Sequence, residues 1–149
     1  SGHKKCHTLN FHFVHDGRGV VKNITGPQPG SGSDISLAKQ CPVYTHPHLY
    51  LRPNDGILAD LAYYYIGRPF VCRVGYQSSY TDEEQRYNVK HSQSRVICEN
   101  YYCRFKLYWP IVTEAWRFKM SDLDMTIRAL AIATNIIIAE QAPLRRFRQ

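Results

Sequence analysis

The chain has 149 residues and a formal net charge of +7. This length is enough for a hydrophobic core, so we expect residues 1–149 to form a single domain. The positive charge favours polyanionic partners, either nucleic acid or an anionic membrane surface. The five cysteines are odd in number and contain no CxxC pair, which argues against a zinc ribbon and is typical of reduced cytosolic thiols.

The first part of the chain predicts a strand, a loop, a short helix and a hairpin. Leu9, Phe11 and Phe13 alternate with polar residues, as in a half-buried strand. Residues 26–33, GPQPGSGS, indicate a flexible loop because of their glycines and prolines. A short helix is expected over residues 34–39. The segment 46–61, HPHLYLRPNDGILADL, predicts two antiparallel strands joined by a tight turn.

The second part predicts one more strand and one long helix. Residues 70–76 have the pattern of a strand, and the polar residues 77–93 that of an exposed loop. Helical spacing is most regular over residues 121–140, where Ser121 is the expected N-cap and Asp124 completes a capping-box-like pattern. The apolar part of this helix is too short to span a bilayer, which takes about 20 apolar residues.

That helix therefore belongs in the core or lies on a membrane as a peripheral contact. The last residues, 143–149, form a basic tail. Together the elements predict an α+β fold, in which a small antiparallel sheet packs with helices.

A cysteine, a histidine and an aspartate form the predicted site. In the expected hairpin, His46 and Asp60 lie at the two ends of adjacent strands, where the carboxylate could orient the imidazole. His48 points to the same face and is the alternative base. Cys98 is the candidate nucleophile if a helix begins near it, because a helix N-terminus stabilises a thiolate. The alternative is that Cys98 is a buried core residue.

Two segments resemble the motifs of one known family. Residues 46–61 resemble the H-box of the lecithin:retinol acyltransferase-like proteins, and residues 98–101, CENY, resemble their NC-box. These H-box/NC proteins are circularly permuted relatives of papain-like and NlpC-type thiol enzymes, and their viral members are 2A proteins of picornaviruses such as parechoviruses. Ile97 stands where the NC-box has asparagine, which leaves open whether the site is active.

The resemblance implies a function as well as a fold. It implies a viral non-structural protein in the host cell cytoplasm, at replication membranes, that acts in genome replication and binds host proteins. The Ser1 and Gln149 ends favour excision from a polyprotein by a glutamine-specific protease. An active site would be an acyltransferase or hydrolase rather than a polyprotein protease, with Cys98 attacking an ester or thioester carbonyl and His46 moving the proton.

RNA is the expected ligand in either case. Aromatic residues that alternate with cations can stack on bases and pair with phosphates. The candidate RNA-binding residues are Arg104, Lys106, Arg117, Lys119, Arg145, Arg146 and Arg148.

A replication nuclease of the HUH type is a further alternative. His12 and the His46-Pro47-His48 segment offer histidines for a metal, and Tyr87 precedes Lys90 in a Tyr-x-x-Lys pattern. We expect neither a cofactor nor a structural metal, because Cys6, His7, His12 and His15 lack the spacing of a tetrahedral site.

Overall fold

The structure is a computed structural model that describes residues 8–75 and 79–141. Its strands and helices, in chain order, are β1 (Leu9–His15), β2 (Val21–Pro29), α1 (Asp34–Gln40), α2 (Pro42–Thr45), β3 (Ile57–Leu58), β4 (Phe70–Val71), α3 (Asp82–Tyr108) and α4 (Met120–Gln141). Short 3-10 helices lie at Pro47–Leu49, Leu61–Ile66 and Pro110–Val112. The predicted α+β class is confirmed: β1 and β2 form an antiparallel pair, β3 and β4 a parallel pair, and helices pack around both.

The β1–β2 hairpin confirms the first predicted strand. Phe13 pairs with Ile24 and His15 with Val21. The connecting turn is held by the Asp16 carboxylate, which accepts hydrogen bonds from the backbone N–H groups of Arg18 at 2.9 Å and Val20 at 3.0 Å. The second strand extends through Pro29, so the first four residues of the expected 26–33 loop are strand.

Two predicted helices are confirmed. The first is α1, where the Ser33 hydroxyl caps the backbone N–H of Ser36. The second is α4, which begins one residue before Ser121, so this residue lies inside the first turn rather than at the N-cap. The buried residues of α4 recur at helical spacing and are Leu123, Ile127, Ala131, Thr134 and Ile138. Within the described residues, no helix is long and apolar enough to cross a membrane.

The predicted hairpin at 46–61 is wrong. Pro42 and Pro47 each occupy a first-turn position of a short helix, a place that suits proline because its missing N–H is not needed there. Only Ile57 and Leu58 form a strand, and they pair in parallel with Phe70 and Val71. The expected strand at 70–76 is accordingly two residues long, and Tyr76 lies outside the described residues.

The predicted loop at 77–93 is also wrong, because α3 begins at Asp82. A full capping box starts this helix: the Thr81 hydroxyl accepts from the Glu84 backbone, and the Glu84 carboxylate accepts from the Thr81 backbone at 2.8 Å. Such reciprocal bonds satisfy two backbone donors at the helix start. The first half of α3 buries only His91, so it carries no apolar stripe that the sequence could show.

The main core lies where the second half of α3 meets α4 and the hairpin. Tyr101 and Phe105 of α3 pack there with Val21, Ala131 and Ile138. One polar contact crosses this interface, since the Asn135 side chain accepts from the Val21 backbone N–H at 2.9 Å and donates to the Val21 carbonyl at 2.9 Å. The Asn135 amide therefore makes the same pair of hydrogen bonds with Val21 that the backbone of a neighbouring strand would make.

We expect Asn135→Ala to lower the free energy of unfolding by about 1–3 kcal/mol, because it leaves both polar groups of Val21 unpaired. Ile136→Ala is the matched control on the exposed side of the same helix and should change stability by no more than about 0.5 kcal/mol. Urea unfolding of the three proteins measures both effects. Equal losses in the two variants would contradict the importance of the Val21 contact.

His15 is held in the core by aromatic rings. Its ring centroid lies 4.6 Å from that of Tyr101 and 5.7 Å from that of Tyr102. Neither ring nitrogen has a hydrogen-bond partner within the described residues. Burial lowers the pKa of His15 to about 4, with Asp16 opposing the shift and His12 adding to it. The imidazole is therefore neutral in the folded protein at neutral pH.

The pKa of His15 is lower in the folded protein than in the unfolded chain, so the unfolded chain binds the proton first as the pH falls. Acid therefore lowers the stability of the fold. We expect the free energy of unfolding to fall by about 2–3 kcal/mol as pH drops from about 6.5 to 4, at about 1.4 kcal/mol per pKa unit. His15→Phe keeps the ring contacts and should remove this part of the pH dependence. Denaturant unfolding at several pH values tests it, and parallel curves for the two proteins over that window would refute it.

Candidate functional site

The two candidate histidines lie in a short exposed turn. His46 is the C-cap of α2, and its Nδ1 lies 2.9 Å from the Thr45 hydroxyl. His48 is in the following 3-10 helix, and the two imidazole centroids are 6.3 Å apart. Because the expected strand is absent, the structure gives no strand geometry that would hold His46 beside Asp60.

Asp60 is held by a backbone amide and a guanidinium. It is the N-cap of the 3-10 helix Leu61–Ile66, and its Oδ1 accepts from the Leu61 backbone N–H at 2.7 Å. The same oxygen lies 3.6 Å from a terminal nitrogen of Arg95, which projects from α3. The Asp60 side chain is 58% exposed, so this ion pair contributes at most about 1 kcal/mol to stability. The pair fixes the position of the carboxylate more than it stabilises the fold.

Cys98 is in the interior of α3, and the prediction that a helix begins near it is wrong. The helix begins at Asp82, sixteen residues earlier, so no free backbone N–H groups are available to the thiol. Burial raises the pKa of Cys98, and the negative charge of Glu99 raises it further, while Arg95 partly opposes this. A reactive cysteine needs the opposite shift. Neither the position of Cys98 in the helix nor the direction of its pKa shift favours a thiolate.

Arg95 pairs with the carboxylate of Asp60, and two further carboxylates belong to the elements around this pair. Glu99 follows Arg95 by four residues on α3 and so lies on the same face of the helix. Asp34 and Asp60 both act on Tyr63: burial is the main cause that raises the pKa of Tyr63 to about 12, and these two charges raise it further while Arg95 lowers it. We refer to Asp34, Asp60 and Glu99 as the acidic cluster.

Glu99 was not among the site residues predicted from the sequence, although it belongs to the CENY segment. Its available signal was its spacing of four from Arg95, which only becomes meaningful once Arg95 is known to meet Asp60. Within residues 8–75 and 79–141, no three His, Cys, Asp or Glu side chains come close enough to hold a metal ion. The acidic cluster is thus looser than an assembled metal centre.

The residues of the HUH alternative are used in other ways. Tyr87 belongs to α3 rather than to an exposed loop, and its hydroxyl donates to the Cys72 carbonyl at 3.0 Å. His12 lies on β1, where its ring contacts Tyr63 and Phe70 at centroid distances of 5.8 and 6.2 Å. Burial lowers the pKa of His12, and the charge of Asp34 partly opposes this.

The candidate RNA-binding residues are exposed where the structure describes them. Arg104 and Lys106 lie near the end of α3, and Arg117 and Lys119 lie between α3 and α4. Arg145, Arg146 and Arg148 lie outside the described residues. Binding of RNA by these cations stays a prediction.

Comparison with known families gives one match. The family model described as DDE superfamily endonuclease matches residues 1–135. No curated protein and no solved structure gave a significant match. The matched range includes Asp34, Asp60, Arg95 and Glu99, and it covers every strand and most of α4.

This match overturns the resemblance to the H-box/NC family. The viral 2A function and the thiol acyltransferase alternative are wrong, because both depended on that resemblance. Cleavage by a nuclease is closer, but the HUH type is wrong, since the family is of the DDE type. The CENY segment was interpreted through its cysteine, whereas the glutamate beside it is the residue that follows Arg95 by one helical turn. The chain belongs to the DDE superfamily endonuclease family.

Proposed function

We propose that the chain is an endonuclease that cuts phosphodiester bonds within nucleic acid strands, with Asp60 and Glu99 as essential carboxylates. The observation that carries the proposal is the family match, which spans both residues and the arginine between them. The Asp60–Arg95 ion pair supports it, because it places Asp60 against the helix that bears Glu99.

The residue types agree with the family description. Read as one-letter codes, DDE denotes two aspartates and one glutamate, and Asp34, Asp60 and Glu99 follow that order along the chain. Asp60 pairs with Arg95, and Glu99 follows Arg95 by one turn of the same helix, whereas Asp34 is on α1 and is connected to Asp60 through the charge that both exert on Tyr63. Asp60 and Glu99 are therefore the stronger candidates, and Asp34 is the third.

Nucleases that cut phosphodiester bonds commonly use divalent cations, which stabilise the attacking and leaving oxygens. Carboxylate oxygens are the ligands that Mg²⁺ prefers, so the chemistry of the acidic cluster is suitable. The number of ligands is too small, because the described residues bring no three such ligands together. Asp60 and Glu99 supply part of a cation site that residues 8–75 and 79–141 do not complete.

Arg95 and the surface charge favour a polyanionic substrate. Arg95 offsets the charge of Asp60 at 3.6 Å, and its side chain is only 30% exposed, so it is held against the site. The net charge of +7 attracts a phosphate backbone over a longer distance. RNA and DNA share that backbone, and both are substrates to be tested.

We expect Asp60→Asn and Glu99→Gln each to lower cleavage by at least about 100-fold, because each removes one negative charge from the reacting region while keeping the side chain's size. Nicking of supercoiled DNA and cutting of a labelled RNA, with Mg²⁺ or Mn²⁺ added to the full 149-residue chain, measure the loss. Asp34→Asn, in the same assays, shows whether the third carboxylate takes part. Full activity in both Asp60→Asn and Glu99→Gln would refute the proposal.

Cys98→Ala is the control that separates carboxylate from thiol chemistry. It changes the residue next to Glu99 on the same helix, so any general damage to α3 should affect it as well. We expect cleavage to stay within about threefold of the original chain, because the raised pKa of Cys98 keeps its thiol protonated. A loss equal to that of Glu99→Gln would contradict this assignment, and circular dichroism shows whether each variant is folded.

A further inference from the structure

A second polar site lies on the other side of α3. It is a cleft of about 150 Å³ between the hairpin turn, α3 and α4. Its polar lining comes from Arg18, Asn100 and Arg104, and its apolar lining includes Gly19, Ile97 and Ile138. Successive helical residues are turned by about 100°, so Ile97 and Arg104 face away from Arg95 and Glu99. The cleft is therefore separate from the acidic cluster.

The hairpin turn is fixed against α3 by a close contact at Gly19. The backbone of Gly19 has a φ of +82°, and a Cβ atom at this position would lie 3.2 Å from the Ile97 Cγ2. The turn itself is held by the Asp16 carboxylate, which accepts from the Arg18 and Val20 N–H groups. The hairpin turn therefore places Arg18 at the same cleft as Arg104, with the Arg18 side chain 77% exposed.

The charges of the cleft are not balanced by its own lining. Two guanidinium groups and one amide line it, and no carboxylate is among the described residues that do so. Asp16 lies 3.2 Å from Arg18, but it also pairs with Lys22 at 3.4 Å, so one carboxylate serves two cations. Within the part of the chain that the structure describes, Arg104 has no ion-pair partner.

We propose that this cleft binds a phosphate group of a nucleic acid strand through Arg18 and Arg104. A guanidinium group can bind phosphate oxygens through two parallel hydrogen bonds, and the Asn100 amide can donate a further one. The cleft volume of about 150 Å³ gives room for several water molecules and for a phosphate group. The choice of a nucleic acid as the source of the phosphate rests on the proposed endonuclease function.

Arg104→Gln tests the proposal, with Arg86→Gln as its matched control. Arg86 is exposed on the same helix but lies outside the cleft, so both variants lose one charge from α3. We measure the dissociation constant of duplex DNA, and of single-stranded RNA, at several salt concentrations without divalent cation. The slope of log affinity against log salt should become shallower by about 1 in Arg104→Gln for every sequence tested. Arg86→Gln should keep the slope of the original chain.

Arg104→Lys gives a second readout. Lysine keeps the charge and loses the planar fork, so the salt slope should return while the affinity stays below that of the original chain. Equal slopes in the original chain and Arg104→Gln, or an equal change in Arg86→Gln, would overturn the proposal.

Inorganic phosphate distinguishes a nucleic acid from a free anion. If phosphate raises the melting temperature of the original chain but not of Arg104→Gln, while neither DNA nor RNA binding depends on Arg104, the cleft takes a free anion and the nucleic acid assignment is wrong. Absence of any nucleic acid binding by the original chain would refute both this site and the proposed function. Binding that depends on Arg104, in a chain that does not cleave, would support this site and count against the nuclease alone.

Discussion

The carbonyl oxygen of Val71 connects the segment that carries Asp60 to the helix that carries Arg95 and Glu99. It accepts a hydrogen bond from the backbone N–H of Ala59 at 3.0 Å and another from Nε2 of the buried His91 at 3.0 Å. The first bond joins β4 to the residue that precedes Asp60, and the second joins β4 to α3. These two bonds help to set the position of Asp60 relative to Arg95 and Glu99. A carbonyl oxygen has two lone pairs, so it can serve both donors without leaving either unsatisfied.

The long helix α3 connects this region to the rest of the molecule. Its first half holds the β4 segment through further side-chain bonds, since Asn88 accepts from the Val74 N–H at 2.8 Å and Tyr87 donates to the Cys72 carbonyl. Its second half enters the core through Tyr101 and Phe105. The helix of 27 residues therefore links the segment that carries Asp60 to the core of the protein.

The sequence predicts the elements that carry their own local signals and misses those that tertiary contacts create. The alternation of Phe11 and Phe13 and the helical spacing of residues 121–140 were sufficient for β1 and α4. The first half of α3 has no apolar stripe, and its one clear local signal was the Thr81–Glu84 capping box. The apolar runs of segment 46–61 looked like strands, because period alone does not distinguish short strands from short helices.

The candidate site shows the same division between features with a local sequence signal and features that tertiary contacts create. Asp60 was predicted to be functional with His46 as its partner, whereas its partner in the structure is Arg95, which is 35 residues away in the chain. Glu99 has no local mark that separates it from other exposed glutamates of a polar helix. Only the fold, which places Arg95 against Asp60, gives the spacing of Arg95 and Glu99 its meaning.

The two faces of α3 also divide the charges that a nucleic acid strand would meet. A phosphate that approaches Asp60 and Glu99 is repelled by about 1 kcal/mol per charge at 4 Å in water, and by about 4 kcal/mol where the surroundings are less polar. Arg95 offsets one of those charges. Cationic side chains away from the carboxylates add to the attraction for the strand without pairing with the cluster. Arg18 and Arg104, which line the cleft on the opposite side of α3, supply it without reducing the negative charge at the acidic cluster.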